Sequence, residues 1–141
     1  MKTYILNCDP LPLARPRLGK HKKMYNVQQE YRLVNGIHLQ KQHNDAPLFE
    51  GPLHLDITFY LKMPNMSERK KDALENTYHY FKPDLSNLLK FVEDLANKII
   101  YNDDAQISSI TTRKLYARHP HTIFSISNLD KEKKYEENQK A

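Results

Sequence analysis

Apolar and polar positions alternate most strictly over residues 53–61, where Leu53, Leu55, Ile57, Phe59 and Leu61 interleave with His54, Asp56, Thr58 and Tyr60. A period of two puts every second side chain on one side, so this stretch reads as a strand with one buried face. Gly51-Pro52 and Pro64 bracket it. The period then changes. Leu85, Leu88, Leu89, Val92, Leu95, Ala96 and Ile99 recur every three or four residues, which predicts an amphipathic helix over about 85–98. Ser67 is placed to cap a short helix over 67–76. Residues 27–43 carry a weaker helical pattern, with Val27, Tyr31, Val34 and His38 on one face and Gly36 interrupting it. Residues 2–7, 107–116 and 122–127 read as strands, the last two separated by His119-Pro120-His121, an expected exposed turn. Pro10, Pro12, Pro16 and Gly19 favour an extended loop over about 10–25. Residues 130–141 have almost no apolar content and read as a disordered tail. The order β-(α)-β-α-α-β-β implies an α+β fold, a small mixed sheet packed with helices in a single domain over 1–129.

A chain of 141 residues is long enough for one core without staples. Its longest uninterrupted apolar runs are three residues, such as Tyr4-Ile5-Leu6, so no membrane span and no signal-peptide core are expected. The single Cys8 excludes an intrachain disulfide and a cysteine-based zinc site, and fits a reducing, cytoplasmic location. Three glycines leave no glycine-rich phosphate loop, so no nucleotide cofactor is expected. The seven histidines show no metal-ligand spacing. Nine tyrosines read as core or interface residues ahead of base-stacking ones.

The charge is unevenly spread. Net charge is +5, yet residues 1–43 hold eight Lys/Arg against two acids, while residues 44–129 hold ten against eleven. The excess is densest at Arg15, Arg17, Lys20, Lys22 and Lys23. A solvated loop and a phosphate-binding arm both account for that run.

Candidate chemistry gathers around the second helix pattern. Asp84 enters it, and Asp103-Asp104 follow about twenty residues later. A helix of some fourteen residues is about 20 Å long, so whether these carboxylates meet depends on the tertiary fold. Read blandly, Asp84 is a helix cap and Asp103-Asp104 a turn pair. Asn87, Lys90 and Asp94 fall opposite the leucines. They form either a metal and phosphate face or a solvent face with a Lys90–Asp94 pair worth a few tenths of a kcal/mol.

The ordered set of residues decides between these readings. The stretch KPDLSNLLKFVEDLANKIIYNDDAQI at 82–107 resembles the signature of the RusA-type Holliday junction resolvases, KPDxDNLxKxxxDALNG followed by xDDxQI. The match takes in Lys82, Pro83, Asp84, Asn87, Leu88, Lys90, Asp94, Leu95, Asn97, Asp103, Asp104, Gln106 and Ile107. Arg15-Pro16-Arg17 and the Gly51-Pro52 strand start also fall where that family has an RPR element and a GP-led strand, so the resemblance spans most of 1–127. It implies a homodimeric, Mg²⁺-dependent endonuclease that resolves four-way DNA junctions by paired symmetric incision in recombination and repair. Mn²⁺ is an alternative ion. By the same resemblance Asp84, position 86 and the Asp103-Asp104 turn hold the metal, and Lys90 acts in catalysis. Lys82, Asn87 and the basic arm meet DNA.

The chain departs from the signature at two positions. Ser86 stands where the second Asp is usual, and Lys98 replaces a Gly in the turn after the helix. A serine hydroxyl is neutral and a weaker ligand than a carboxylate. The site then uses more water, recruits a neighbour such as Asp94, or binds junctions without cutting well. The alternatives are therefore a junction-binding protein with weakened or lost cleavage, and an unrelated basic nucleic-acid-binding module.

Overall fold

The computed structural model describes residues 1–13 and 22–129, with residues 22–27 described as backbone only. Arg15, Arg17, Lys20, the side chains of Lys22 and Lys23, and the expected tail over 130–141 lie outside the described residues. The elements are β1 (Lys2–Leu6), α1 (Lys22–His43), β2 (Leu53–Lys62), α2 (Glu68–Leu74), α3 (Leu85–Ala96), a 3₁₀ turn (Asp104–Gln106), β3 (Ile107–Ala117) and β4 (His121–Asn128). The four strands form one mixed sheet in the order β1-β4-β2-β3, giving the expected α+β arrangement. β4 runs antiparallel to both of its neighbours, whereas β2 and β3 are parallel. A parallel pair needs a long crossover. Here that crossover contains α2, α3 and the 3₁₀ turn.

The alternation of β2 is realised as one buried face. Leu53, Leu55, Ile57, Phe59 and Leu61 are all buried. Ile57 lies opposite Phe124 and Leu55 opposite Ile126 on β4, and Tyr4 of β1 stacks on Phe124 at 5.1 Å. Leu88, Phe91, Val92, Leu95 and Ala96 of α3 are buried in the same cluster. Burial of each of the four larger side chains contributes about 1.5–3 kcal/mol, so α3 is held to the sheet by its leucine face. Its opposite face is left for chemistry. At the outer edge of β1, the Gln42 amide donates to Ile5 O and accepts from Ile5 N at 2.7 and 2.8 Å. A side chain thus occupies the edge that another strand would pair with. No helix among the described residues is long and apolar enough to cross a membrane.

Several expectations are corrected. α1 begins at Lys22, so Lys22 and Lys23 stand in its first turn rather than in an extended loop. Lysine and methionine are good helix formers, and a charged first turn hides any apolar periodicity. The face of α1 is also rotated: Val34 and His38 are exposed, and Gln28, Asn35, Leu39 and His43 are buried instead. Polar side chains fill that face because they find partners there. Gln28 donates to Pro12 O at 2.6 Å and Asn35 to Tyr31 O at 2.9 Å. Two helices are shorter than their patterns. α3 stops at Ala96 and α2 at Leu74, and left-handed residues follow each, Lys98 at φ 67° and Asn76 at φ 63°. His121, expected in a turn, opens β4 and stacks on Tyr60 at 4.3 Å.

Candidate active site

Asp84 occupies the N-cap position of α3 with φ −66° and ψ 140°, yet its side chain makes no capping bond. The carboxylate accepts instead from Lys82 Nζ at 2.9 Å. A carboxylate at a helix start that leaves the backbone alone is available to another partner. The segment leading to it is fixed from the sheet, where Lys114 Nζ on β3 donates to Phe81 O at 2.8 Å and Pro83 O at 3.0 Å. Ser86 is exposed in the first turn of α3, two residues after Asp84. Asn87 is half-buried, and its carbonyl accepts from Leu13 N at 3.1 Å. That bond seats the N-terminal segment beside the start of α3.

The turn after α3 is built by Gln106. Its Oε1 accepts from Asn102 N and Asp103 N, both at 3.0 Å, while its Nε2 donates to Phe49 O at 3.0 Å and Gly51 O at 3.2 Å. One side chain therefore ties the Asp103-Asp104 turn to the entrance of β2. Asp103 does act as a cap, accepting from Ala105 N at 2.9 Å. That backbone bond, then a side-chain hydrogen bond with Asp104 and the charges of Lys98 and Lys90, hold its carboxyl below the usual range.

Lys90 joins the two halves. Its Nζ lies 3.2 Å from Asp104 Oδ2 and 3.7 Å from Asp94 Oδ1. The tertiary fold thus brings Lys90 and Asp94 of α3 against the acidic turn, while the side-chain contact of Asp84 is with Lys82. The hydrogen bond to Asp104, followed by the charges of Asp104 and Asp94, raises the Lys90 pKa and keeps the ammonium protonated. Asp94 is shared, with Arg32 of α1 at 3.8 Å. Arg32 also lies over the Phe91 ring at 5.6 Å.

Sequence reasoning missed Glu93. Burial raises its pKa, Lys90 opposes the rise, and Asp104 and Asp94 add to it. Tyr101 belongs to the same surroundings, with its hydroxyl donating to Glu93 O at 2.7 Å. Burial, then the nearby carboxylates, push its pKa up. Glu93 sat in the helix pattern as an unremarkable polar position, and no spacing rule marks it.

No group of three His, Cys, Asp or Glu side chains among the described residues is arranged to hold a metal ion by itself. Mg²⁺ usually keeps several waters and takes one or two carboxylates. Asp84 and Asp104 fit that demand chemically: both offer hard carboxylate oxygens, Asp84 beside Lys82 and Asp104 beside Lys90 and Asp103.

Comparison with known proteins settles the lineage. The family described as Endodeoxyribonuclease RusA matches residues 7–127. The chain belongs to the RusA family. It is also 33% identical over 130 residues to the uncharacterized protein YqaN of Bacillus subtilis (strain 168), covering 86% of this chain and 92% of that one. The RusA match begins just after β1 and takes in β2, the whole crossover, β3 and most of β4, so the family relation extends well beyond the acidic box.

Proposed function

We propose that this protein is a divalent-metal-dependent endonuclease that resolves four-way DNA junctions by paired incision as a homodimer. The observation that carries the reading is the ion pair of Lys90 with Asp104 at 3.2 Å, which assembles the exposed face of α3 and the acidic turn into one site. Membership of an endodeoxyribonuclease family supports the reaction class.

In this reading Asp84 and Asp104 hold the ion, Mg²⁺ or Mn²⁺, with Asp103 and Ser86 at its margin. When bound, the ion supplies a water of lowered pKa and neutralises charge at the scissile phosphate. Lys90 moves its ammonium from Asp104 toward a phosphate oxygen, a point charge on a flexible stem suited to that exchange. Lys82 does the same from Asp84. The backbone bond from Leu13 to Asn87 starts the chain toward Arg15 and Arg17 from beside the site, so the basic arm, with Lys20, Lys22 and Lys23, is assigned to phosphates flanking it. Two such sites related by a two-fold axis match the symmetry of a four-way junction, which is the reason for a dimer.

Asp84→Asn and Asp104→Asn are expected to abolish cutting while leaving junction affinity intact or tighter, because each removes a charge that repels phosphate. Cutting by either variant at the native rate would remove these carboxylates from the reaction. A second reading, junction binding without efficient cleavage, is favoured by Ser86, which leaves the first turn of α3 without an acidic residue. Native protein that binds junctions yet does not cut them with either ion would establish it.

A further inference from the structure

Immediately before Lys82 the chain exposes three aromatic rings in four residues: Tyr78 is 73%, Tyr80 79% and Phe81 60% exposed. Burying such rings is worth much to a fold, so leaving three together in water calls for an explanation. They are not on a loose loop. Asn76 N donates to Tyr116 O, Tyr116 N to Thr77 O and His79 N to Lys114 O, so residues 76–79 run along β3, with Tyr78 bridged to Leu115. His79 turns inward onto Tyr116 at 4.7 Å, leaving Tyr78 and Tyr80, one residue to either side, exposed. Phe81 stacks on Tyr80 with centroids 4.5 Å apart and planes 28° off parallel. Lys114 then fixes the carbonyls of Phe81 and Pro83. The result is a solvent-facing aromatic surface tied to β3 by hydrogen bonds.

Its neighbours are charged groups of the site. Lys82, whose side chain is 85% exposed, follows Phe81 directly, and Asp84 is three residues on. Three residues of chain put Phe81 Cα within about 11 Å of Asp84 Cα. Flat apolar faces beside a cation match a nucleotide, which offers a base and a phosphate at similar separation. We propose that Tyr80 and Phe81, flanked by Tyr78, stack on bases that have lost a stacking neighbour at a DNA branch point, and so favour branched DNA over continuous duplex. In duplex every base already has two stacking neighbours, so the same rings gain nothing there. This deepens the junction-resolving reading and rests on it.

The test is binding without divalent metal to a four-way junction and to a duplex of the same sequence, each with 2-aminopurine at the central positions. Native protein is expected to change the fluorescence of branch-point 2-aminopurine and to prefer the junction. Tyr80→Ala with Phe81→Ala should lose roughly 5- to 150-fold in junction affinity for each base released. Duplex affinity should stay unchanged, which also reports an intact fold. Tyr80→Phe with Phe81→Tyr keeps both rings and should bind as the native protein does. An alanine variant that retains the native junction preference and fluorescence change overturns the platform while leaving the junction reading in place. Native protein without junction preference overturns both. A change of oligomeric state in the alanine variant before DNA is added assigns the rings to a second copy and also overturns the platform.

Discussion

Gln106→Ala removes four hydrogen bonds with one substitution. Two of them fold the backbone of Asn102 and Asp103 around the amide oxygen, and two anchor the turn to Phe49 and Gly51. A hydrogen bond contributes about 0.5–1.5 kcal/mol net, and Gln106 is only half-buried, so the low end applies to each. The sum is roughly 2 kcal/mol of stability. The effect on cutting should be larger, because the turn carries Asp104 and a displacement of about 1 Å in a positioned group can cost about 100-fold in rate. Gln106→Glu separates the two functions of the amide. It keeps the oxygen that Asn102 and Asp103 donate to but sets a carboxylate against the carbonyls of Phe49 and Gly51. Urea denaturation and junction cleavage measured on both variants check the reasoning. If Gln106→Ala is within about 0.5 kcal/mol of native stability and cuts normally, the turn does not depend on its amide.

Three further outcomes are expected. Lys98 sits at φ 67°, where a side chain costs about 1–2 kcal/mol and glycine loses about 0.5–1 kcal/mol in chain entropy, so Lys98→Gly should raise the thermal midpoint by a few degrees; a fall would mean that the Lys98–Asn102 bond outweighs the strain. Burial, then the charge of Lys114, lowers the His79 pKa, and its Nδ1 is buried without a partner. A depressed histidine contributes stability present above its unfolded value near 6.5 and lost as pH falls from there through the folded value, so His79→Phe should flatten the drop in urea midpoint between about pH 7.5 and 5. Ser86→Asp should lower the Mg²⁺ or Mn²⁺ concentration needed for half-maximal cutting; unchanged metal dependence would show that position 86 is not at the ion.

The sheet and the site differ in how far the sequence reveals them. β2 and α3 each bury one face, so periods of two and of three to four residues were legible in their side chains. The basic start of α1 was not, because helix formation there follows from backbone propensity rather than from an apolar stripe. Its buried face was misplaced because Gln28, Asn35 and His43 are satisfied by local partners, and polarity hides their burial. In the site, the ordered acidic box named the residues, but their meeting is a tertiary fact: Lys90 and Asp104 are fourteen positions apart, and Gln106 reaches back 57 to Phe49. Periodicity carries no such information. The exposed rings at 78–81 were equally silent, since aromatic residues in a short segment usually mean burial.

The central claim is tested most directly by incubating the full chain with a synthetic four-way junction and with a duplex of the same sequence, each with and without Mg²⁺, and mapping the nicks. The account predicts paired, symmetric nicks in the junction alone, only with metal, and none from Asp104→Asn. Equal cutting of duplex, or cutting that persists in a chelator, would contradict it.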